Sequence, residues 1–159
     1  MTDLPSAYDQ AVALLGRRDY SSGELAEKLR TKGHAEPDIT AALKRLADVG
    51  YVDDARYARA VVTTRAKLSG WGVARIRLDL RKRRLPPAVI DDALKGFAAR
   101  IADGDTDDWE TRATQILQKK YGPWTQLDQN ERARRLNFLL RRGFSADQAL
   151  KALANTREI

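Results

Sequence analysis

Residues 21–50 read SSGELAEKLRTKGHAEPDITAALKRLADVG, and this stretch spells out two helices together with their ends. Ser21-x-x-Glu24 is a capping-box pattern, in which the hydroxyl serves one free amide of the first turn and the carboxylate reaches back to another. Leu25 and Leu29 follow at a step of four, which puts both on one side of a helix. Gly33 supplies the left-handed residue that ends it. A second helix opens near Pro37, carries Ile39, Leu43 and Leu46 on one stripe, and stops at Gly50.

The same grammar extends in both directions. Before Ser21, the spacing of Tyr8, Val12 and Leu15 predicts a helix. After Gly50, Asp53 caps a helix with Tyr57, Val61 and Leu68 inward, and Gly70-Trp71-Gly72 interrupts it. Val73, Ile76 and Leu80 mark the next helix, and Pro86-Pro87 opens another with Ile90, Leu94 and Phe97. Trp109, Ala113, Ile116 and Leu117 mark a further one. Asp128-x-x-Glu131 leads into Ala133, Leu136 and Leu140, with Gly143 as the stop, and Ser145-x-x-Gln148 leads into Ala149 and Leu153. The chain holds 24 Ala and 19 Leu against 13 Val+Ile, which favours helix over strand. An all-α fold is expected.

Three groups of three helices share a frame. Six and ten residues after Gly33 stand Ile39 and Leu43. At the same offsets after Arg84 stand Ile90 and Leu94, and after Gly143 stand Ala149 and Leu153. Leu29, Leu80 and Leu139 each precede their anchor by four. The chain therefore reads as three tandem three-helix, helix-turn-helix-like repeats over residues 7–50, 51–102 and 107–155.

With 159 residues the chain has enough length for a buried core. It has no Cys and one His, which excludes a disulfide framework, a thiol nucleophile and multi-histidine metal sites. His34, just past a helix end, reads as a turn residue. Asp53-Asp54 are adjacent, so they do not face each other on a helix and suit a helix start. No phosphate loop, Ser-His-Asp set or metal-binding cluster is present, so neither an enzyme nor a cofactor is expected. The longest apolar run, Ala11–Leu15, is too short to span a bilayer, and the N-terminus lacks the features of a secretory signal. A cytoplasmic location is expected, and tandem repeats make a monomer the simpler choice.

Charge is concentrated. The chain carries 29 Lys+Arg against 22 Asp+Glu, a net +7. Between residues 56 and 84, Asp79 is the sole acid among a run of Arg and Lys. Arg56, Arg59 and Lys67 share one helical face with Thr63, opposite Tyr57 and Val61. Arg75 and Lys82 lie seven apart, and Arg77, Arg81 and Arg84 step by four and three. Arg134, Arg135, Arg141 and Arg142 form a second group beyond the acidic segment Asp103–Glu110. Such stripes repel themselves. A polyanion or an acidic protein groove would relieve that repulsion, and the plain alternative is a solvated face. These twelve cations are the candidate binding residues. Leu78, set among Arg75, Arg81 and Lys82, is expected to pack against another unit. Trp71 either stacks on a base or partner, or plugs the joint between helices.

The motifs resemble the RecX family, bacterial regulators of the RecA recombinase. The resemblance runs through Leu14-Leu15-Gly16-Arg17-Arg18 and Ser21-x-x-Glu24-Leu25-x-x-Lys28-Leu29-x-x-Lys32-Gly33. It continues in Gly50-Tyr51-Val52-Asp53-Asp54-x-Arg56-Tyr57-Ala58, then Arg65, Gly72 and Arg75-Ile76-x-x-x-Leu80. It closes with Lys119-Lys120-Tyr121-Gly122 and Arg141-Arg142-Gly143-Phe144-Ser145. Arg84 departs from it, since members often carry Gly there. The resemblance implies an elongated, non-enzymatic protein that binds the groove of the RecA filament on single-stranded DNA. It also implies inhibition of ATP hydrolysis, strand exchange and filament growth in recombination and repair, and weaker direct binding to single-stranded and double-stranded DNA. The rival reading is a stand-alone helix-turn-helix DNA-binding protein.

Overall fold

The computed structural model describes residues 4–102 and 108–155. Nine helices occur among the described residues: α1 (Ala7–Leu15), α2 (Ser22–Thr31), α3 (Glu36–Asp48), α4 (Asp54–Lys67), α5 (Val73–Lys82), α6 (Pro87–Ala102), α7 (Trp109–Tyr121), α8 (Gln129–Arg141) and α9 (Ala146–Ala154). They form three units of three, and in each the first and third helices pack most extensively. Each unit has its own core. Leu25, Leu29, Ile39 and Leu46 fill the first, Val62, Ile76, Leu80, Ile90 and Phe97 the second, and Ala113, Leu117, Leu139 and Leu153 the third.

The helix starts follow the sequence. Ser21 Oγ accepts from the Glu24 amide at 3.0 Å and Glu24 Oε1 accepts from the Ser21 amide at 3.0 Å. Asp128–Glu131 and Ser145–Gln148 form the same reciprocal box at α8 and α9. Asp53 caps α4 by accepting from the Arg56 amide at 3.0 Å.

The three repeat anchors turn out to be one backbone device. Gly33, Arg84 and Gly143 have φ of 93°, 58° and 95°. In each unit the residue after the anchor donates its amide to the leucine four positions before it. His34 N bonds Leu29 O at 3.1 Å, Leu85 N bonds Leu80 O at 3.3 Å, and Phe144 N bonds Leu139 O at 3.2 Å. These are Schellman turns, which need a left-handed residue at the anchor. Arg84 adopts that conformation in spite of its Cβ.

The units meet end to end through their middle helices. At the start of α5, the Gly72 amide donates to Arg142 O at 2.7 Å and the Ala74 amide to Gly143 O at 3.1 Å. Carbonyls from the end of α8 thus serve orphan amides of α5, which also aligns their dipoles. One unit earlier, Ser21 Oγ donates to Arg83 O at 2.5 Å at the start of α2. Contact is backbone on backbone: a Cβ added at Gly72 would lie 2.5 Å from Gly143 O, and one at Gly23 would lie 2.5 Å from Arg84 O. Trp109 bridges the second and third cores, with ring centroids 5.3 Å from Phe97 and 6.5 Å from Phe144.

Several inward expectations fail. Leu68 is 83% exposed, because the turn brings Trp71 back over the end of α4, its amide on Arg65 O at 3.1 Å. Trp71 packs against the second core in its place, as a plug over the joint. Leu78 does not pack between units and is 51% exposed, since neighbouring units meet α5 at its ends and leave its outer side open. In α8 the buried set is Arg135, Phe138 and Leu139, with Leu136 half-buried against the third core, so Ala133 and Leu140 are exposed instead of inward. Val12 also lies outside the first core, where Ala7 and Ala11 face inward.

Candidate functional site

Helix geometry sorts the basic residues into those held by the fold and those left outside it. On α5 the core takes Ile76 and Leu80, so Arg75, Leu78, Arg81 and Lys82 point outward. Asp79 lies at the edge and binds Arg65 at 2.8 Å and Arg83 at 3.2 Å. Arg83 also donates to the Tyr57 hydroxyl at 2.7 Å, and burial raises that phenol above its ordinary range. Arg77 pairs with Asp91 at 2.5 Å. That hydrogen bond, with Lys95 and Arg81 nearby, holds the Asp91 carboxyl below the usual range.

The remaining candidates divide further. Arg56 donates to Gly50 O at 3.1 Å but stays exposed. Arg84 lies 3.8 Å from Glu27, an exposed and weak pair. Arg75 stacks on Trp71 with its guanidinium 4.1 Å from the ring centroid, and Arg65 stacks on the same ring at 4.5 Å. Arg59, Lys67, Arg81, Lys82, Arg134 and Arg141 are exposed and have no hydrogen bond or ion pair among the described residues.

Two expected surface cations belong to the interior framework. Arg135 is 8% exposed and stacks on Tyr121 at 4.6 Å and Trp124 at 5.3 Å. Buried against those two rings, it offers little charge to a partner. Arg142 donates to Ser69 O at 3.0 Å and lies over Phe138 at 4.7 Å, tying the third unit to the second. Of the acidic segment, Asp108 caps α7 and Glu110 pairs with Lys151 at 3.0 Å. Asp103, Asp105 and Asp107 lie outside the described residues.

A groove of about 610 Å³ opens between the end of α4, α7 and the end of α8. Lys67, Lys119, Lys120 and Arg142 line it, and none of its lining residues is acidic. Ile116 and Phe138 add apolar surface, and Leu68 stands at its edge. Lys119 and Lys120 were not among the candidates read from sequence. Two lysines in a last helical turn suit the helix dipole, and only the placement of Lys67 in the same groove makes them part of a basic wall. His34, by contrast, contacts Gln10 at 2.8 Å, and no group of His, Cys, Asp or Glu able to hold a metal occurs among the described residues. No helix there is long and apolar enough to cross a membrane.

Family models for the first, second and third three-helix domains of RecX match residues 7–46, 53–94 and 107–153. The chain belongs to the RecX family. Among its relatives, the regulatory protein RecX of Chromohalobacter salexigens is 39% identical over 94% of this chain and 92% of its own. That of Halorhodospira halophila is 35% identical over 94% and 88%, and that of Vibrio campbellii 36% over 94% and 90%. The crystal structure of RecX from Lactobacillus salivarius superposes with a TM-score of 0.80 at 22% identity, over 96% of each chain. A second crystal structure of regulatory protein RecX gives 0.73, over 94% of this chain and 70% of that one. The RecX fold thus accounts for all three units.

Proposed function

We propose that this RecX-family chain regulates the RecA recombinase by binding the RecA filament on single-stranded DNA. It acts in the cytoplasm, without catalytic chemistry, and reduces ATP hydrolysis, strand exchange and filament growth. The observation that carries this reading is the set of exposed cations on the second unit. Arg59 on α4 and Arg81 and Lys82 on α5 have no side-chain hydrogen bond or ion pair among the described residues. Arg75 of α5 is exposed as well, on the Trp71 ring. A nucleoprotein filament supplies the complementary negative charge, and neutralising phosphates releases condensed counterions. Arg134 and Arg141 of the third unit extend the contact toward the next protomer of the fibre. Three linked units on one monomer suit a repetitive partner. Binding changes the filament only through different affinity for its growing and dissociating states.

The test is RecA ATPase on single-stranded DNA, with filament length measured in parallel. Substoichiometric protein is expected to lower both, and no change in either overturns the reading. Arg56→Glu with Arg59→Glu is expected to weaken filament binding by about tenfold at moderate salt, because two attractive contacts become repulsive, while helicity stays unchanged. A footprint on one duplex site in the absence of RecA would favour a stand-alone DNA-binding protein instead.

A further inference from the structure

The groove between the second and third units, whose walls are cationic and carry no carboxylate, points to a site of its own. We infer that it is a phosphate clamp, in which Lys67 and Lys119 grip the backbone of a single nucleic-acid strand. Its charges come from separate elements: Lys67 closes α4, Lys119 and Lys120 sit in the last turn of α7, and Arg142 follows α8. Lys120 Nζ lies 4.0 Å from the Phe138 ring centroid, and the Arg142 guanidinium lies 4.7 Å from the same centroid. Two cations are therefore gathered on one ring. The fold holds like charges together here, in a recess whose low-dielectric walls concentrate their field.

The type of cation selects the ligand. A carboxylate-rich peptide is best read by arginine forks, which bind carboxylates through paired hydrogen bonds. In this groove the one arginine is already committed to Ser69 O and Phe138. Lys67, Lys119 and Lys120 are exposed with no side-chain hydrogen bond or ion pair among the described residues. Since Lys120 lies over the Phe138 ring, Lys67 and Lys119 are the two left without a ring contact as well. Lysines act as point charges, which suits tetrahedral phosphate without demanding one orientation. Leu68 at the edge and Ile116 within offer apolar surface to the faces of unstacked bases, which a single strand presents and a duplex does not. Gly70, with φ 65° and Ile116 Cδ1 3.2 Å from where a Cβ would stand, keeps this part of the groove lined by bare backbone.

The inference deepens the functional reading above by giving its nucleic-acid contact an address, and its test leaves RecA out so that the two can fail separately. A fluorescent 20-nucleotide thymidine strand is titrated with the full chain at several salt concentrations. Lys67→Glu with Lys119→Glu is expected to lower affinity about tenfold near 50 mM salt. It should also flatten the log–log salt slope by about 1.4, matching two single-strand phosphate contacts. Lys119→Gln, which only removes a charge, is expected to flatten it by about half as much. Lys28→Glu with Lys44→Glu, the same charge change on the first unit, is expected to leave the slope unchanged. Equal losses in both double variants overturn the clamp. So does displacement of the strand by polyglutamate of matched charge, which would make the groove an acidic-peptide site. Unchanged affinity and salt slope in the Lys67→Glu, Lys119→Glu variant also overturn the clamp, whatever the chain does to RecA. An unaltered chain that binds the strand as expected but leaves RecA ATPase unchanged would count against the proposed function alone.

Discussion

The joint between the first and second units and the joint between the second and third are built on one plan but differ in charge. In both, the turn after one middle helix meets the start of the preceding unit's middle helix, and a glycine there leaves no room for a side chain. At the first joint, acids take part. Asp54 accepts from the Ser22 amide at 2.8 Å and from its hydroxyl at 2.5 Å, and Glu27 lies near Arg84. At the second joint, main-chain donors from α5 replace the serine hydroxyl, and Arg142 bonds a carbonyl instead of a carboxylate. The first joint thus sets carboxylates beside its polar and cationic groups, while at the second Arg142 meets a carbonyl beside a groove whose lining carries no acid. Repetition of a fold does not repeat its electrostatics.

Three substitutions would break or sharpen this comparison. The largest effect is expected from Gly143→Ala, which forces a Cβ into a left-handed residue and toward the Arg75 backbone 2.5 Å away. Strain and clash together should cost about 3 kcal/mol, seen as a melting temperature lower by about 8 °C. Circular dichroism melts check this, and an unchanged melt would mean that the second joint is not closely packed. A smaller loss, about 1–2 kcal/mol, is expected for Asp54→Ala, which removes the acceptor at the start of α2. It should loosen the first joint while leaving oligonucleotide binding at the second unchanged, so parallel melts and titrations separate the two. The smallest effect belongs to Arg84→Gly. It relieves the left-handed strain at φ 58° but frees the unfolded chain, for a net gain of about 0.5 kcal/mol. A lower denaturant midpoint would show that the Arg84 side chain contributes more to the first joint than its 3.8 Å approach to Glu27 suggests.

Particular residues show where sequence reasoning reached and where it stopped. Ser21, Asp53, Asp128 and Ser145 were legible as caps because capping is local, involving donors and acceptors three residues apart. The anchors Gly33, Arg84 and Gly143 were legible as equivalents from spacing, even with arginine replacing glycine. An arginine beside another arginine in sequence reads as surface, whereas the burial of Arg135 depends on Tyr121 and Trp124 coming close to it in space. Leu78 was misread because a helical wheel identifies the outer side of a helix without telling whether a neighbour covers it. Lys119 and Lys120 were passed over because nothing near them in the chain shows that Lys67 stands across the groove.

The sequence by itself determined the helices, their caps and the threefold repeat, since hydrogen bonding within a turn and apolar spacing act over a few residues. Tertiary structure alone decided which cations are neutralised, which are buried and which gather around one groove. Those outcomes depend on the distance between residues as far apart as Ser69 and Arg142, and a Coulomb or hydrogen-bond partner is defined by that distance rather than by position along the chain.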